Sequence, residues 1–163
     1  NKIPFLGICL GMQMAVIEYA RNVKKIRYAN STEISEKCKD PVIDLMTSQK
    51  EIINKGGTMR LGAWDCEIEK NTKSYKCYKK KLISERHRHR YEFNNNYTDR
   101  IFDDKFVIAG SNPDTKLVEI VENIDHPWFV GVQFHPEYKS SVYNPHPIFV
   151  NFVKASLKKY LNK

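Results

Sequence analysis

A cysteine between two glycines near the start of the chain is the first candidate for chemistry. Gly7-Ile8-Cys9-Leu10-Gly11 follows a short apolar run, Ile3 to Ile8, and precedes a helical pattern. In such a strand–turn–helix context the sequence Gly-x-Cys-x-Gly predicts a nucleophile elbow, a turn so tight that its neighbours need little or no side chain. Because a helix dipole behind the sulfur favours an anion, we expect the thiolate to form more readily than in a free cysteine. The alternative is a buried structural cysteine beside packing glycines.

A histidine and a glutamate late in the chain could serve such a thiol. His135 and Glu137 flank Pro136, directly after the mostly apolar, strand-like run Trp128 to Phe134. Because Pro136 disfavours a helix, we expect the two side chains to project the same way from an extended segment. A thiol nucleophile needs a base that takes its proton and returns it to the leaving amine, and a carboxylate beside the imidazole fixes its tautomer. His-Pro-Glu alone fits a surface turn equally well, but together with the cysteine motif it predicts a Cys-His-Glu triad.

The elements expected to position these groups indicate an α/β fold. Strands are predicted, from short apolar runs or alternating patterns, over Ile3 to Ile8, Trp64 to Ile68, Phe106 to Ala109, Leu117 to Val121 and Trp128 to Phe134. The segment Ser111 to Asp114 predicts a turn between the third and fourth of these strands. The chain has no internal repeat and no Pro- or Gly-rich linker. We therefore predict one domain, an open sheet flanked by helices.

Two helices are predicted from apolar residues at helical spacing. The first opens at Gly11, and the second opens at Pro147, a residue suited to a first turn. Their apolar stripes are Met12, Ala15, Val16 and Tyr19 in the first helix, and Phe149, Phe152, Val153, Leu157 and Tyr160 in the second. The segment Asn22 to Lys55 shows no clear pattern, and Lys73 to Lys81 is expected to be an exposed connection.

The composition is that of a folded, basic chain. Its 163 residues, 41% of them hydrophobic, are enough for one domain with a core. No apolar run reaches the roughly 20 residues needed to span a bilayer. The first residues lack both an initiator Met and the pattern of a signal peptide, so we expect a cytoplasmic protein and a fragment of a longer chain. The net charge of +8 could indicate nucleic-acid binding, but the lysines are interspersed with acids, which favours a solvated basic surface.

The remaining cysteines and two loop histidines favour structural roles. Cys38, Cys66 and Cys77 are separated by long, irregular gaps without a Cys-x-x-Cys pair, so we predict inert, reduced thiols and no metal site. His126 and His146 each stand beside a proline and are expected to be ordinary loop histidines.

Arginine and histidine alternate in one segment of the chain. In a strand, this alternation places Arg86, Arg88 and Arg90 on one face and His87 and His89 on the other. A solvated face, an anion patch and a basic strand that binds RNA or phosphate are all compatible with the pattern. The residues alone do not choose between these roles.

Two motifs resemble class I glutamine amidotransferases: Pro4 to Gln13, which contains the cysteine motif, and Phe134 to Glu137. Members of that family use Cys-His-Glu to release ammonia from glutamine through a γ-glutamyl thioester, on a flavodoxin-like α/β fold. Further segments resemble the amidotransferase domains of the CTP synthase family, namely Asn30 to Glu33, Gly56 to Gly62, Glu85 to Glu92 and His126 to Phe129. The resemblance covers nearly the whole chain, and its two longest runs, GGTMRLG and ERHRHRYE, are unusual.

The resemblance implies roles for residues at matching positions. Leu10 would supply a backbone N–H to the oxyanion hole, and Gln13 and Glu33 would contact the substrate glutamine. Arg90 would bind the α-carboxylate of that glutamine. The chemistry is reasonable, because an amino acid presents a carboxylate and an ammonium, which suit an arginine fork and an acidic acceptor. No metal and no cofactor are implied for this domain.

The resemblance also implies parts that these 163 residues do not contain. Family domains begin before the segment equivalent to Asn1, so we expect the first strands and a glycine-rich loop with a second oxyanion donor to be missing. A lid linked to GTP activation is expected at Ser48 to Lys55, where the chain looks short. The parent enzyme would add a synthetase domain that uses ATP and magnesium to convert UTP to CTP. It would be a homo-tetramer, with no membrane and no nucleic acid among its partners.

Two other functions remain as alternatives. One is an amidotransferase that serves another acceptor, such as a purine or carbamoyl pathway, against which the two long runs argue. The other is a non-enzymatic basic module that recruits nucleic acid, which predicts tight, salt-sensitive RNA binding.

Overall fold

Two sheets form the framework of the protein, whose computed structural model describes residues 2–45 and 59–161. Their strands are β1 Phe5–Ile8, β2 Ala29–Ser31, β3 Asp40–Leu45, β4 Arg60–Ile68, β5 Leu82–His89, β6 Tyr91–Phe93, β7 Phe106–Ser111, β8 Val118–Asn123 and β9 Phe129–Val132. The α-helices within these ranges are α1 Leu10–Asn22, α2 Lys73–Tyr78, α3 Thr98–Ile101 and α4 Pro147–Leu161. The larger sheet has the order β1-β9-β8-β7-β4-β5, and the smaller has the order β2-β3-β6. The predicted α/β fold, an open sheet with flanking helices, is confirmed.

The pairing of β1 with β9 joins an early and a late segment of the chain. These strands run parallel, with Phe5 opposite Phe129 and Ile8 opposite Val132. The other neighbours in the larger sheet run antiparallel. Because the carboxyl ends of parallel strands meet at one edge, the residues that follow β1 and β9 lie side by side. All five predicted strands are present, although β4 begins earlier than expected, at Arg60.

Helix α1 covers the sheet with the apolar stripe that its spacing predicts. Met12, Ala15, Val16 and Tyr19 are all buried. The helix approaches β9 so closely that a Cβ on Gly131 would lie 3.0 Å from the Met12 side chain. Full burial of such side chains contributes about 1.5–3 kcal/mol each, so this contact is a principal anchor of α1 on the sheet.

The segment Lys73 to Lys81, predicted as an exposed connection, is mostly helix α2. Thr72 caps it, its side chain accepting a hydrogen bond from the Tyr75 N–H. The buried carboxylate of Glu122 accepts the N–H groups of Lys73 and Ser74 at 2.8 and 2.7 Å. The prediction was wrong because the lysines alternate with residues that form a hydrophobic face. Tyr75 and Tyr78 on this face pack on the core.

Helix α4 begins at Pro147 as predicted, but it buries a different face. Ile148 is fully buried, and Phe152 and Ala155 pack on the core around it. The predicted stripe was wrong in its second half, because Val153, Leu157 and Tyr160 stay 53%, 54% and 73% exposed. The helix therefore packs on the core through the side that carries Ile148, Phe152 and Ala155.

The segment Asn22 to Lys55, which has no clear sequence pattern, contributes β2 and β3. These short strands pair in parallel, and β3 pairs with β6 in antiparallel fashion. The expected lid, Ser48 to Lys55, lies outside the described residues, as does the start of the segment Gly56 to Gly62. Among the residues described, no helix is both long and apolar enough to cross a membrane.

Candidate active site

Cys9 stands at a strained turn between β1 and α1. Its φ is 50° and its ψ is −105°, a left-handed conformation that non-glycine residues rarely adopt. Hydrogen bonds on both sides hold the turn: the Cys9 N–H donates to the Val132 carbonyl at 2.8 Å, and the Gln13 N–H donates to the Cys9 carbonyl at 3.2 Å. Strain of this kind persists only where the surrounding structure over-determines it, and it is frequent at reactive residues. The predicted strand–elbow–helix unit is present.

The two glycines of the motif are not equivalent. A Cβ on Gly7 would lie 2.7–2.8 Å from backbone atoms of Gly11 and Met12, so the turn excludes any side chain there. A Cβ on Gly11 would meet nothing within 4 Å. The expectation that the turn excludes side chains on both sides therefore holds for Gly7 and is wrong for Gly11.

His135 and Glu137 form a close pair just after β9. The His135 Nδ1 and the Glu137 Oε1 lie 2.6 Å apart, and the imidazole stacks on the Tyr138 ring. The backbone N–H of His135 donates to the backbone carbonyl of Arg86 at 2.8 Å, and this hydrogen bond connects the segment after β9 to β5. The predicted extended segment is wrong, because Pro136 opens a single 3₁₀ turn, Pro136–Lys139. Proline at the first position of a helical turn needs no N–H, so it favours this start rather than preventing it.

A pocket of about 190 Å³ collects five of the predicted site residues. Cys9, Leu10, Gln13, Glu33 and Arg90 all line it. His135 and Glu137 are not among its lining residues, but the Glu137 charge acts on the Cys9 sulfur. Among the described residues, the lining also includes four that sequence reasoning did not assign to the site: Met59, Arg88, His89 and Tyr91.

The pKa of the Cys9 thiol is raised above its ordinary value. Burial is the largest cause, and the negative charges of Glu33 and Glu137 act in the same direction. The Leu10 N–H and the Gln133 amide lower the pKa. The expectation of a readily formed thiolate is therefore wrong, because desolvation and two carboxylates outweigh the helix N-terminus. The sulfur accordingly keeps its proton until a base removes it.

Gln133 is a polar neighbour of the thiol that the sequence analysis missed. It is fully buried, and its Nε2 lies 3.6 Å from the Cys9 Sγ. Its Oε1 lies 3.2 Å from the Nε2 of Gln13, which is also buried. A signal was present in the sequence, since Gln133 is a polar residue in the apolar run that precedes His135.

A layer of buried charged and polar groups lies on the inner face of β5. The Arg60 guanidinium is 2.6 Å from Glu119 and 3.7 Å from Glu92. Burial raises the pKa of both carboxyls to about 7, against the pull of Arg60. Burial, reinforced by Arg60, lowers the pKa of His87 to about 2 and that of His89 to about 3, so both imidazoles are neutral. The alternation predicted for this strand is confirmed, with the histidines inside and Arg86 and Arg88 outside.

The other cysteines and His146 have structural surroundings. Burial raises the pKa of Cys38 and Cys66, and it raises that of Cys77 to about 12, which keeps all three as neutral thiols. His146 is not the ordinary loop histidine that the sequence suggested, because it is buried and its Nε2 lies 3.0 Å from the Glu85 carboxylate. No group of three or more metal-ligating side chains is found within residues 2–45 and 59–161.

Comparison with known proteins identifies the family of this chain. The sequence pattern of the family "Glutamine amidotransferase class-I" matches residues 1–155. The chain therefore belongs to the class I glutamine amidotransferase family.

Within that family the chain corresponds to the glutaminase part of CTP synthases. It is 62% identical over 157 residues to CTP synthase of Flavobacterium johnsoniae, covering 96% of this chain and 29% of that protein. It is 58% identical over 163 residues to CTP synthase of Clostridium beijerinckii, covering 100% of this chain and 30% of that protein. The chain thus spans about 30% of the length of these relatives.

A solved structure resembles the fold over almost its whole length. The glutaminase domain of Trypanosoma brucei CTPS with bound acivicin superposes with a TM-score of 0.89 at 39% sequence identity. The match covers 97% of this chain and 61% of that one. The fold of this chain therefore resembles that of a known glutaminase domain.

Proposed function

We propose that this chain hydrolyses glutamine at Cys9 and supplies the ammonia to a CTP synthase reaction. The observation that carries the proposal is the pocket in which a thiol at a strained turn meets Glu33 and Arg90. A reactive sulfur, an acidic group and a guanidinium around one cavity match the three parts of glutamine: its side-chain amide, its ammonium and its carboxylate.

The proposed chemistry divides into acylation and deacylation. His135 takes the Cys9 proton as the sulfur attacks the amide carbon of glutamine, and it then gives that proton to the leaving ammonia. A γ-glutamyl thioester results, and water activated by the same imidazole hydrolyses it to glutamate. Glu137, 2.6 Å from His135, holds the imidazole tautomer and stabilises the imidazolium. Because the thiol pKa is raised, this base is essential for forming the nucleophile.

Substrate and transition-state contacts come from the rest of the lining. Arg90 binds the α-carboxylate of glutamine, Glu33 binds its ammonium, and Gln13 contacts it from the floor of the pocket. The Leu10 N–H follows the nucleophile directly and donates to the developing oxyanion. Removing one such donor typically costs about 10²–10³ in rate.

The domain assignment is also part of the proposal. We infer that residues 1–163 are the amidotransferase domain of a longer, cytoplasmic CTP synthase and lack its first strands and glycine-rich loop. The synthetase domain of that parent would use ATP and magnesium on UTP, with GTP as activator, in a homo-tetramer. The family resemblance and the 29% coverage of a CTP synthase relative support this reading.

The test is an assay of the full-length protein with glutamine, ATP, magnesium and UTP, measuring glutamate and CTP together. We expect Cys9→Ala to abolish glutamine-dependent CTP formation and to keep CTP formation from added ammonia. The matched control Cys38→Ala should keep both. An electrophilic glutamine analogue should label Cys9 in the same protein, and labelling elsewhere with Cys9 untouched would refute the assignment.

Two further outcomes separate the alternatives. If the protein forms glutamate but no CTP, the glutaminase assignment stands and UTP is not the acceptor. The chain would then be an amidotransferase for another pathway. Tight, salt-sensitive RNA binding with neither product would favour the basic binding module.

A further inference from the structure

We propose that Gln133 is a positioning residue for the Cys9 sulfur, to which its side-chain amide donates a hydrogen bond. This inference rests on the proposed role of Cys9 as nucleophile. Gln133 directly follows β9, and the register of β9 with β1, Ile8 opposite Val132, places it beside Cys9. Its Nε2 lies 3.6 Å from the Sγ, within the range of a hydrogen bond to sulfur.

The Tyr91 carbonyl, at the far end of a short chain of hydrogen bonds, decides which end of the Gln133 amide faces Cys9. The Tyr91 carbonyl can only accept, and it lies 2.8 Å from the Gln13 side chain, so Gln13 must present its nitrogen there. That nitrogen has a second hydrogen, which it donates to Gln133 at 3.2 Å. Gln133 therefore presents its oxygen to Gln13 and its nitrogen to Cys9. The network of hydrogen bonds therefore sets the orientation of both amides.

A second hydrogen bond holds the same carbonyl in place. The His89 Nδ1 lies 3.0 Å from the Tyr91 oxygen and must donate to it, so a carbonyl with two lone pairs receives two donors. The His87 Nδ1 can then donate to the His89 Nε2, 3.0 Å away. Both imidazoles are buried and neutral, so the His89 Nδ1 supplies the Tyr91 oxygen with its second donor.

Burial makes the contact with sulfur effective. Gln133 is 0% exposed, so water does not compete for its amide hydrogen. An N–H that donates to sulfur stabilises the thiolate more than the thiol and restrains the direction in which the sulfur can move. Gln133 is not among the described residues that line the pocket, so this role is distinct from binding glutamine.

The experiment measures Cys9 alkylation by iodoacetamide against pH in the full-length protein, with Gln133→Met as the variant. Methionine keeps the length of glutamine and removes its donor. We expect the alkylation midpoint of Cys9 to move to higher pH and its rate at neutral pH to fall about three- to tenfold. Peptide mass spectrometry reports Cys38 in the same sample, and its profile should not change. Steady-state assays should show a lower kcat for glutamate release with KM little changed.

An unchanged Cys9 profile in a folded Gln133→Met protein would overturn the proposal. If that variant does not fold, Gln133→Asn replaces it, because the shorter amide keeps the polarity but cannot reach the sulfur, and the same outcomes apply. Failure of the proposed function is distinguishable. In that case the electrophilic glutamine analogue would spare wild-type Cys9, while the alkylation midpoint would still respond to Gln133.

Discussion

The two glycines on either side of Cys9, Gly7 and Gly11, offer a matched pair of single-methyl perturbations. In Gly7→Ala the new Cβ would lie 2.7 Å from the Gly11 carbonyl carbon and 2.8 Å from the Met12 nitrogen. Ordinary contact begins at 3.4 Å, so the first turn of α1 must retreat by about 0.7 Å, the difference between 3.4 and 2.7. The atoms in the way are backbone and cannot rotate aside. We expect a loss at the upper end of the overpacking range, about 3 kcal/mol.

Gly11→Ala adds the same methyl group two positions after Cys9 with the opposite result. Nothing lies within 4 Å of the new Cβ, and Gly11 already belongs to α1. Alanine in a helix is favoured over glycine by about 0.5–1 kcal/mol, partly because it restricts the unfolded chain. We therefore expect a small gain in the free energy of unfolding.

Urea denaturation of the two variants and the wild type tests this reasoning. The midpoints should fall on opposite sides of the wild type, with Gly7→Ala by far the more displaced. Alkylation of Cys9 in folded Gly7→Ala should also change, because the elbow must relax. If both variants lost stability equally, the close approach of α1 to Gly7 would not be the feature that constrains this turn.

Two further predictions concern groups away from the pocket. Burial raises the pKa of Glu92 from 4.5 in the unfolded chain to about 7 in the folded protein. Between these two pH values the folded carboxyl keeps a proton that the unfolded chain releases. The contribution of Glu92 to the free energy of unfolding therefore falls as pH rises from 4.5 to about 7. Melting temperatures between pH 4.5 and 8 should therefore favour Glu92→Gln increasingly over the wild type, and a difference that is constant with pH would contradict this. Thr72→Ala should cost about 1–2 kcal/mol in urea denaturation, because the Thr72 hydroxyl caps α2 by accepting from the Tyr75 backbone N–H and also donates to the Glu69 backbone carbonyl at 2.7 Å. The exposed Ser35→Ala serves as its control and should be neutral.

The elements that could be predicted from sequence are those specified by local patterns. The elbow is marked by an apolar run, a glycine two residues before the cysteine and a helical stripe, all within twenty residues, and Pro147 marks the start of α4 by itself. Local patterns failed where they allow two answers. Pro136 both ends extended structure and opens a 3₁₀ turn, and α4 has two apolar stripes of which one is buried. Only the tertiary contacts decide between such options.

The arrangement of the site depends on pairings that no local pattern contains. Cys9 and His135 lie in segments that follow β1 and β9, which pair in parallel, and the register of that pair brings Gln133 beside the sulfur. Since side chains alternate along a strand, a slip of one residue would turn Val132 towards the thiol in place of Gln133. The buried amide, with its fixed donors and acceptors, tolerates no such slip without leaving polar groups unpaired. The hydrogen bonds of Gln133 therefore also help to specify the strand register from which the site is built.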